Sequence, residues 1–78
     1  MVVLKQLLAE IARSIVDNPE DVTVLQTETD SEILLVLNVA PDDMGKVIGK
    51  HGRIAKAIRT LMKSAANTID KKVTVEIR

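Results

Sequence analysis

The chain is predicted to fold as an α+β domain: one three-stranded sheet with the helices packed on one face, in the order α-β-β-α-α-β. Three observations predict it. Apolar residues recur at helical spacing in two segments, one near the start and one from Arg53 to Ala66. Runs rich in β-branched residues lie between and after them, two adjacent and one at the end. The chain has 78 residues, no aromatic side chain and no cysteine. It buries enough surface only if every element turns an apolar face to one shared core.

The first helix carries Leu4, Leu7, Leu8, Ile11 and Ile15, with Ala12 beside them, as one stripe at period 3.6; Lys5, Gln6, Glu10, Arg13 and Asp17 lie opposite. Asn18-Pro19 ends it, because the residue before proline is pushed out of helical geometry. Val22 to Thr29 reads as a strand, Thr29-Asp30-Ser31-Glu32 as a polar turn, and the nearly continuous apolar run Ile33 to Ala40 as a buried central strand, the two forming a hairpin. Pro41-Asp42-Asp43 closes that strand, with Asp42 as N-cap of a short helix from Met44 to Ile48. A loop, Gly49–Gly52, joins it to a long helix from Arg53 to Ala66 with the stripe Ile54, Ala57, Ile58, Leu61, Met62, Ala65. Asn67 to Lys72 turns the chain. Val73, Val75 and Ile77 then alternate with Thr74, Glu76 and Arg78 as a last strand with one buried face. No linker or repeat interrupts residues 1–78, which read as one domain.

The chemistry concentrates in Met44-Gly45-Lys46-Val47-Ile48-Gly49-Lys50-His51-Gly52-Arg53. Glycine in a helix is disfavoured by about 0.5–1 kcal/mol relative to alanine. Two of them three residues apart, at a joint between helices, imply a tight turn or a close approach. Whatever approaches meets Lys50, His51 and the amides that open the next helix, which suits a phosphate. Arg53 stands near that helix start, where the dipole disfavours a cation and a bound phosphate would compensate it. A Walker A loop is excluded: Gly45 to Lys50 is one residue short, and His51 stands where the hydroxyl belongs. With one histidine and no cysteine, neither a metal site nor a nucleophile–base constellation is readable, so no enzyme, cofactor or metal is expected.

Net charge is zero, but it is sorted along the chain. Residues 1–43 hold two bases and nine acids; residues 44–69 hold Lys46, Lys50, Arg53, Lys56, Arg59 and Lys63 and no acid. The positive block contains the glycine loop. Lys56, Arg59 and Lys63 lie opposite the Ile54/Ile58/Leu61 stripe and read as a solvated face that gives only long-range attraction. The lack of Phe, Tyr and Trp excludes modules that stack bases on aromatics, the RNA-recognition motif among them. Lys5, Glu10 and Arg13 interrupt the N-terminal apolar run, so it is not a signal peptide, and no segment approaches the roughly 20 apolar residues of a membrane span. A cytoplasmic protein without membrane insertion is the expectation.

Val47-Ile48-Gly49-Lys50-His51-Gly52-Arg53 between two helices, after a hairpin and before a final strand, resembles the KH domain, and the extra helix and strand ahead of the core resemble its type II arrangement. A free-standing domain of this size is similar to the KhpA family of small bacterial RNA-binding proteins. The resemblance covers essentially the whole chain. It implies a non-enzymatic protein that holds single-stranded RNA, about four nucleotides of it, with the phosphates on Gly49–Gly52. The implied RNA-binding residues are Lys46, Ile48, Gly49, Lys50, His51, Gly52, Arg53 and Ile54. Ile48 and Ile54 could wall the groove or belong to the core, and base edges would meet backbone on the neighbouring strand. The resemblance also implies an RNA chaperone or post-transcriptional regulator. It would form a homodimer, or a heterodimer with a multidomain KhpB/Jag-type partner, in cell elongation and division. The apolar arc of the long helix suggests the dimer surface, with Ile58, Leu61 and Met62 near its centre. The competing expectation is a dimerising interaction module for which RNA is incidental.

Overall fold

The computed structural model describes residues 3–67 and 69–78. Its elements follow the expected order: α1 (Leu4–Ile15), β1 (Thr23–Glu28), β2 (Glu32–Asn38), α2 (Met44–Ile48), α3 (Arg53–Ala65) and β3 (Lys72–Ile77). Two short 3-10 turns, Pro19–Asp21 and Pro41–Asp43, were not foreseen. Both begin at a proline, whose fixed φ suits the first position of such a turn.

The sheet order is β1-β2-β3. β1 and β2 form an antiparallel hairpin with Thr23 opposite Asn38 and Glu28 opposite Ile33. Its turn is closed by the Thr29 amide on the Glu32 carbonyl at 2.8 Å and by the Glu32 amide on Thr29 Oγ1 at 3.0 Å. β2 pairs in parallel with β3, Leu35 opposite Val75. That explains its sequence: the central strand buries Ile33, Leu35, Val36 and Leu37, whereas β1, at the edge, buries only Val24. Leu8 and Ala12 of α1, Leu35 and Leu37 of β2, and Ile58 and Met62 of α3 meet in the core.

Two expectations are corrected here. The first helix stops at Ile15, and Val16 is already extended (φ −89°, ψ 161°). The amides of Asp17 and Asn18 do not continue the helix because they serve Asp43. They donate to its Oδ1 and Oδ2 at 3.1 and 3.0 Å, and Asn18 Nδ2 adds a third bond at 3.0 Å. Asp43 is only 1% exposed and makes no cap bond to α2, and Asp42, the expected cap, lies inside the preceding turn. The buried carboxylate thus ties the end of α1 to the start of α2.

The second correction is the rotation of α3. It buries Ala55, Ile58 and Met62, while Ile54, Ala57 and Leu61 face outward. Its apolar arc is too wide for one three-stranded sheet to cover. Small Ala55 lets the helix approach and Met62 fills the remaining space, so that flank faces inward. Ile58 and Met62, expected at a dimer surface, are 2% and 0% exposed and belong to the core; Leu61, at 54%, does not.

Candidate nucleic-acid interface

The five residues of α2 lead straight into the glycine loop. The Gly49 amide closes α2 on the Gly45 carbonyl at 2.8 Å, and the Gly52 amide turns back to the Gly49 carbonyl at 3.2 Å. Gly49 (φ 74°, ψ 175°), His51 (φ 58°, ψ 24°) and Gly52 (φ 72°, ψ 14°) all have positive φ. The two glycines do different work. A Cβ on Gly49 would lie 2.6 Å from Ile54 Cγ1, so what approaches closely there is the protein's own side chain. A Cβ on Gly52 would meet nothing within 4 Å. The backbone is therefore open to an outside group at Gly52, where α3 begins without a side-chain cap.

The expected site residues separate into groups. Lys50, His51 and Arg53 are exposed around the turn, and Ile48 and Ile54, at 38% and 37%, flank it as half-covered aliphatics. Among the described residues neither Lys50 nor Arg53 enters an ion pair. Lys46 is different. Its ammonium bonds Asp17 and lies 3.8 Å from Asp43 Oδ1. The Asp17 bond, together with the charges of Asp17, Asp43 and Asp42, outweighs desolvation and holds its pKa above the ordinary lysine value. Lys46 is thus turned toward the acids that anchor α2, a correction to its expected place at the loop.

A cleft lies between α3 and the outer edge of β3. The Lys72 and Arg78 amides bond the Ser31 and Leu37 carbonyls of the β2 segment at 3.0 and 2.9 Å. Backbone groups alternate in direction along a parallel ladder, so Val73, Val75 and Ile77 present theirs to the free edge. Arg59 reaches across, its Nε donating to the Val75 carbonyl at 3.3 Å. Arg59, Lys63, Lys72, Val73, Thr74 and Val75 line a cleft of about 260 Å³. Arg59 and Lys63 are exposed, as expected, and also line this cleft. Sequence reasoning missed this because it judged them by their distance from the Ile54/Leu61 flank, which is not the one that packs.

Asp43 was also missed. Burial pushes its carboxyl pKa up, but the Asn18 side chain, the Asp17 and Asn18 amides and the Lys46 charge together bring it below the ordinary carboxylate value. The bonded form is therefore the ionised one. The stability it supplies is complete above the unfolded-state value, about 3.9, and is lost as pH falls through the lower folded-state value. Asp43→Asn offers one acceptor oxygen where two are used, so the variant is expected to melt well below wild type at pH 7. It should also lose less between pH 5 and pH 3 than wild type does. Thermal unfolding followed by circular dichroism at the three pH values checks both statements; parallel decline in the two proteins would remove Asp43 as the acid-sensitive group.

The comparisons bear on this arrangement. Residues 5–77 match the family model described as the KH domain of KhpA/KhpB. The chain belongs to that family. It is 58% identical over 74 residues to the RNA-binding protein KhpA of Clostridium acetobutylicum, covering 95% of this chain and 99% of the relative. Identity to the KhpA of Listeria monocytogenes is 47% over 74 residues, covering 95% and 97%. For the KhpA of Treponema pallidum it is 47% over 73 residues, covering 94% and 91%. These relatives are named for binding, not for a reaction. Among solved structures the fold is similar to part of Aquifex aeolicus Era bound to GDP·AlF4−, with a TM-score of 0.61 and 21% identity over 99% of this chain and 31% of that one. In this KhpA/KhpB-type domain α3 both begins at the glycine loop and lines the cleft beside β3. Among the described residues no helix is long and apolar enough to cross a membrane, and no cluster of three metal-ligating side chains occurs.

Proposed function

We propose that this chain binds single-stranded RNA, with phosphates on the Gly49–Gly52 turn and bases laid along the α3–β3 groove. The observation that carries the reading is the loop itself. It leaves the Gly52 backbone open beside an uncapped helix start, with Lys50, His51 and Arg53 exposed around it. The free edge of β3 offers donors and acceptors to base edges, and Ile48 and Ile54 give an aliphatic surface beside the turn. The relatives' names as RNA-binding proteins support it.

The finer reading is a cytoplasmic RNA chaperone or post-transcriptional regulator. It acts as a homodimer or with a KhpB/Jag-type partner in cell elongation and division. Membership of a family that spans KhpA and KhpB supports the pairing. One site of about four nucleotides is small, and joining two raises avidity without new contacts. The outward Ile54, Ala57 and Leu61 favour a second reading as well, a dimerising module, and they replace Ile58 and Met62 as the surface it would use.

Fluorescence anisotropy with a four-nucleotide RNA across a salt series tests the RNA reading. Two or three neutralised phosphates give a log–log slope of roughly −1.4 to −2, at about −0.7 per phosphate on single strands. Absence of binding, or a slope near zero, would reject it.

A further inference from the structure

The sheet has a second free edge, on β1. The hairpin turn sets the phase of its backbone. The Thr29 amide bonds the Glu32 carbonyl, so Thr27, Leu25 and Thr23 turn their groups toward β2, opposite Leu34, Val36 and Asn38. Val24, Gln26 and Glu28 therefore present their amides and carbonyls outward. Among the described residues no turn, cap or side-chain bond reaches those groups. Sheet edges are ordinarily blunted by lysine, proline or a bulge. β1 reads Thr-Val-Leu-Gln-Thr-Glu, pairs without a break, and carries one charge, Glu28, which Lys71 engages.

Beside this edge lies a cleft of about 370 Å³ between α1 and β1, lined by Lys5, Gln6, Ala9, Glu10, Arg13 and Val24. Lys5 and Arg13 are the two bases of residues 1–43. Both are exposed and, among the described residues, neither enters an ion pair. Buried Ala9 stands between them on one row of α1, and Gln6 and Glu10 form the next row. Lys5 and Arg13 are thus about 12 Å apart along the axis, at about 1.5 Å per residue. Side chains four residues apart in an extended segment are separated by about 13 Å. On the other face of the sheet, Leu25 is 62% exposed.

We infer that the β1 edge takes an extended segment of another protein as an added antiparallel strand, one in which aliphatic residues alternate with polar ones and two carboxylates stand four residues apart. The carboxylates meet Lys5 and Arg13, a small polar residue between them passes Ala9, and the aliphatic side chains lie beside Leu25. Glu20, Asp21 and Asp30 flank the ends of β1 and confine the carboxylates to the middle of the segment. A second copy of β1 fits this edge poorly. The side chains it would turn to the cleft are Val24, Gln26 and Glu28, and their one carboxylate is already engaged by Lys71.

Anisotropy of the full chain with the labelled peptide acetyl-Val-Glu-Val-Ser-Val-Glu-Val-amide tests it. In an antiparallel pair the residues facing α1 are those whose amides face β1. N-methylation of the two glutamates and the serine should therefore weaken binding at least about tenfold, because three bonds to the Val24, Gln26 and Glu28 carbonyls are lost. N-methylation of the valines should leave it near the parent value. Lysine in place of both glutamates should weaken it about fivefold. Gln26→Pro, at an edge position that tolerates proline, should lose the peptide and keep the wild-type circular dichroism spectrum. No binding at millimolar peptide, or equal loss from the two methylations, would overturn the added strand. Equal affinity for the lysine peptide would overturn the acidic partner. Displacement of the peptide by a four-nucleotide RNA would place it on the positive block and overturn the site. A wild-type dimer in sedimentation that Gln26→Pro dissociates would make a second copy the occupant and overturn the partner.

Discussion

Replacing Lys50 and His51 together by aspartate is expected to abolish RNA binding while leaving the fold intact. Both side chains are exposed on the turn between α2 and α3 and neither contributes to the core. Stability should therefore change by no more than about 0.5 kcal/mol, the range of ordinary surface substitutions. The backbone also favours the exchange. His51 has φ 58° and ψ 24°, a left-handed conformation that aspartate tolerates better than most residues. Two carboxylates would then stand where phosphates are proposed to lie, and like charges there repel the strand rather than merely failing to attract it. A loss of at least about a hundredfold in affinity is the expected result, a difference of about 2.7 kcal/mol. Anisotropy measures it and circular dichroism verifies the fold. A folded double variant that keeps wild-type affinity would show that the turn is not the phosphate clamp.

Much of this architecture was readable from residue periodicity. Period 3.6 in Leu4–Ile15 and period 2 in Val73–Ile77 marked elements whose burial follows from their own spacing. The unbroken apolar run of β2 identified the central strand, because only a strand paired on both sides and covered by helices needs it. The glycine pair, Gly49 and Gly52, marked the turn. What could not be read depends on contacts between distant segments. Asp42 and Asp43 are adjacent aspartates before a helix, and capping logic alone does not say that the second is drawn inward by donors 25 and 26 residues away. Arg59 becomes part of the groove only because β3 packs beside its flank of α3. The left-handed geometry of His51, between two glycines that already supply it, carries no sequence signal beyond histidine's modest tolerance of that region.

The rotation of α3 was the costliest of these ambiguities, and it gives the sharpest stability prediction. Two adjacent side chains, Leu61 and Met62, are both apolar, and only one faces the core. Met62 is 0% exposed among Leu8, Leu35 and Leu37 of the core cluster, whereas Leu61 is 54% exposed. Met62→Asp removes a buried side chain, a loss of about 2–5 kcal/mol even for alanine, and adds a carboxylate that must be desolvated or protonated. A domain of this size has about 4–12 kcal/mol of stability in all, so the variant should be largely unfolded at 37 °C. Leu61→Asp places its charge in water and should leave the melting temperature within a few degrees of wild type. The pair therefore separates folding from association. If copies of the chain associate through the Ile54/Ala57/Leu61 flank, sedimentation across a concentration series should show a wild-type dimer and a folded Leu61→Asp monomer. A wild type that sediments at 8.5 kDa up to high micromolar concentration would exclude the homodimer. A dimer that survives Leu61→Asp would exclude this flank. A Met62→Asp protein that melts like wild type would overturn the rotation itself.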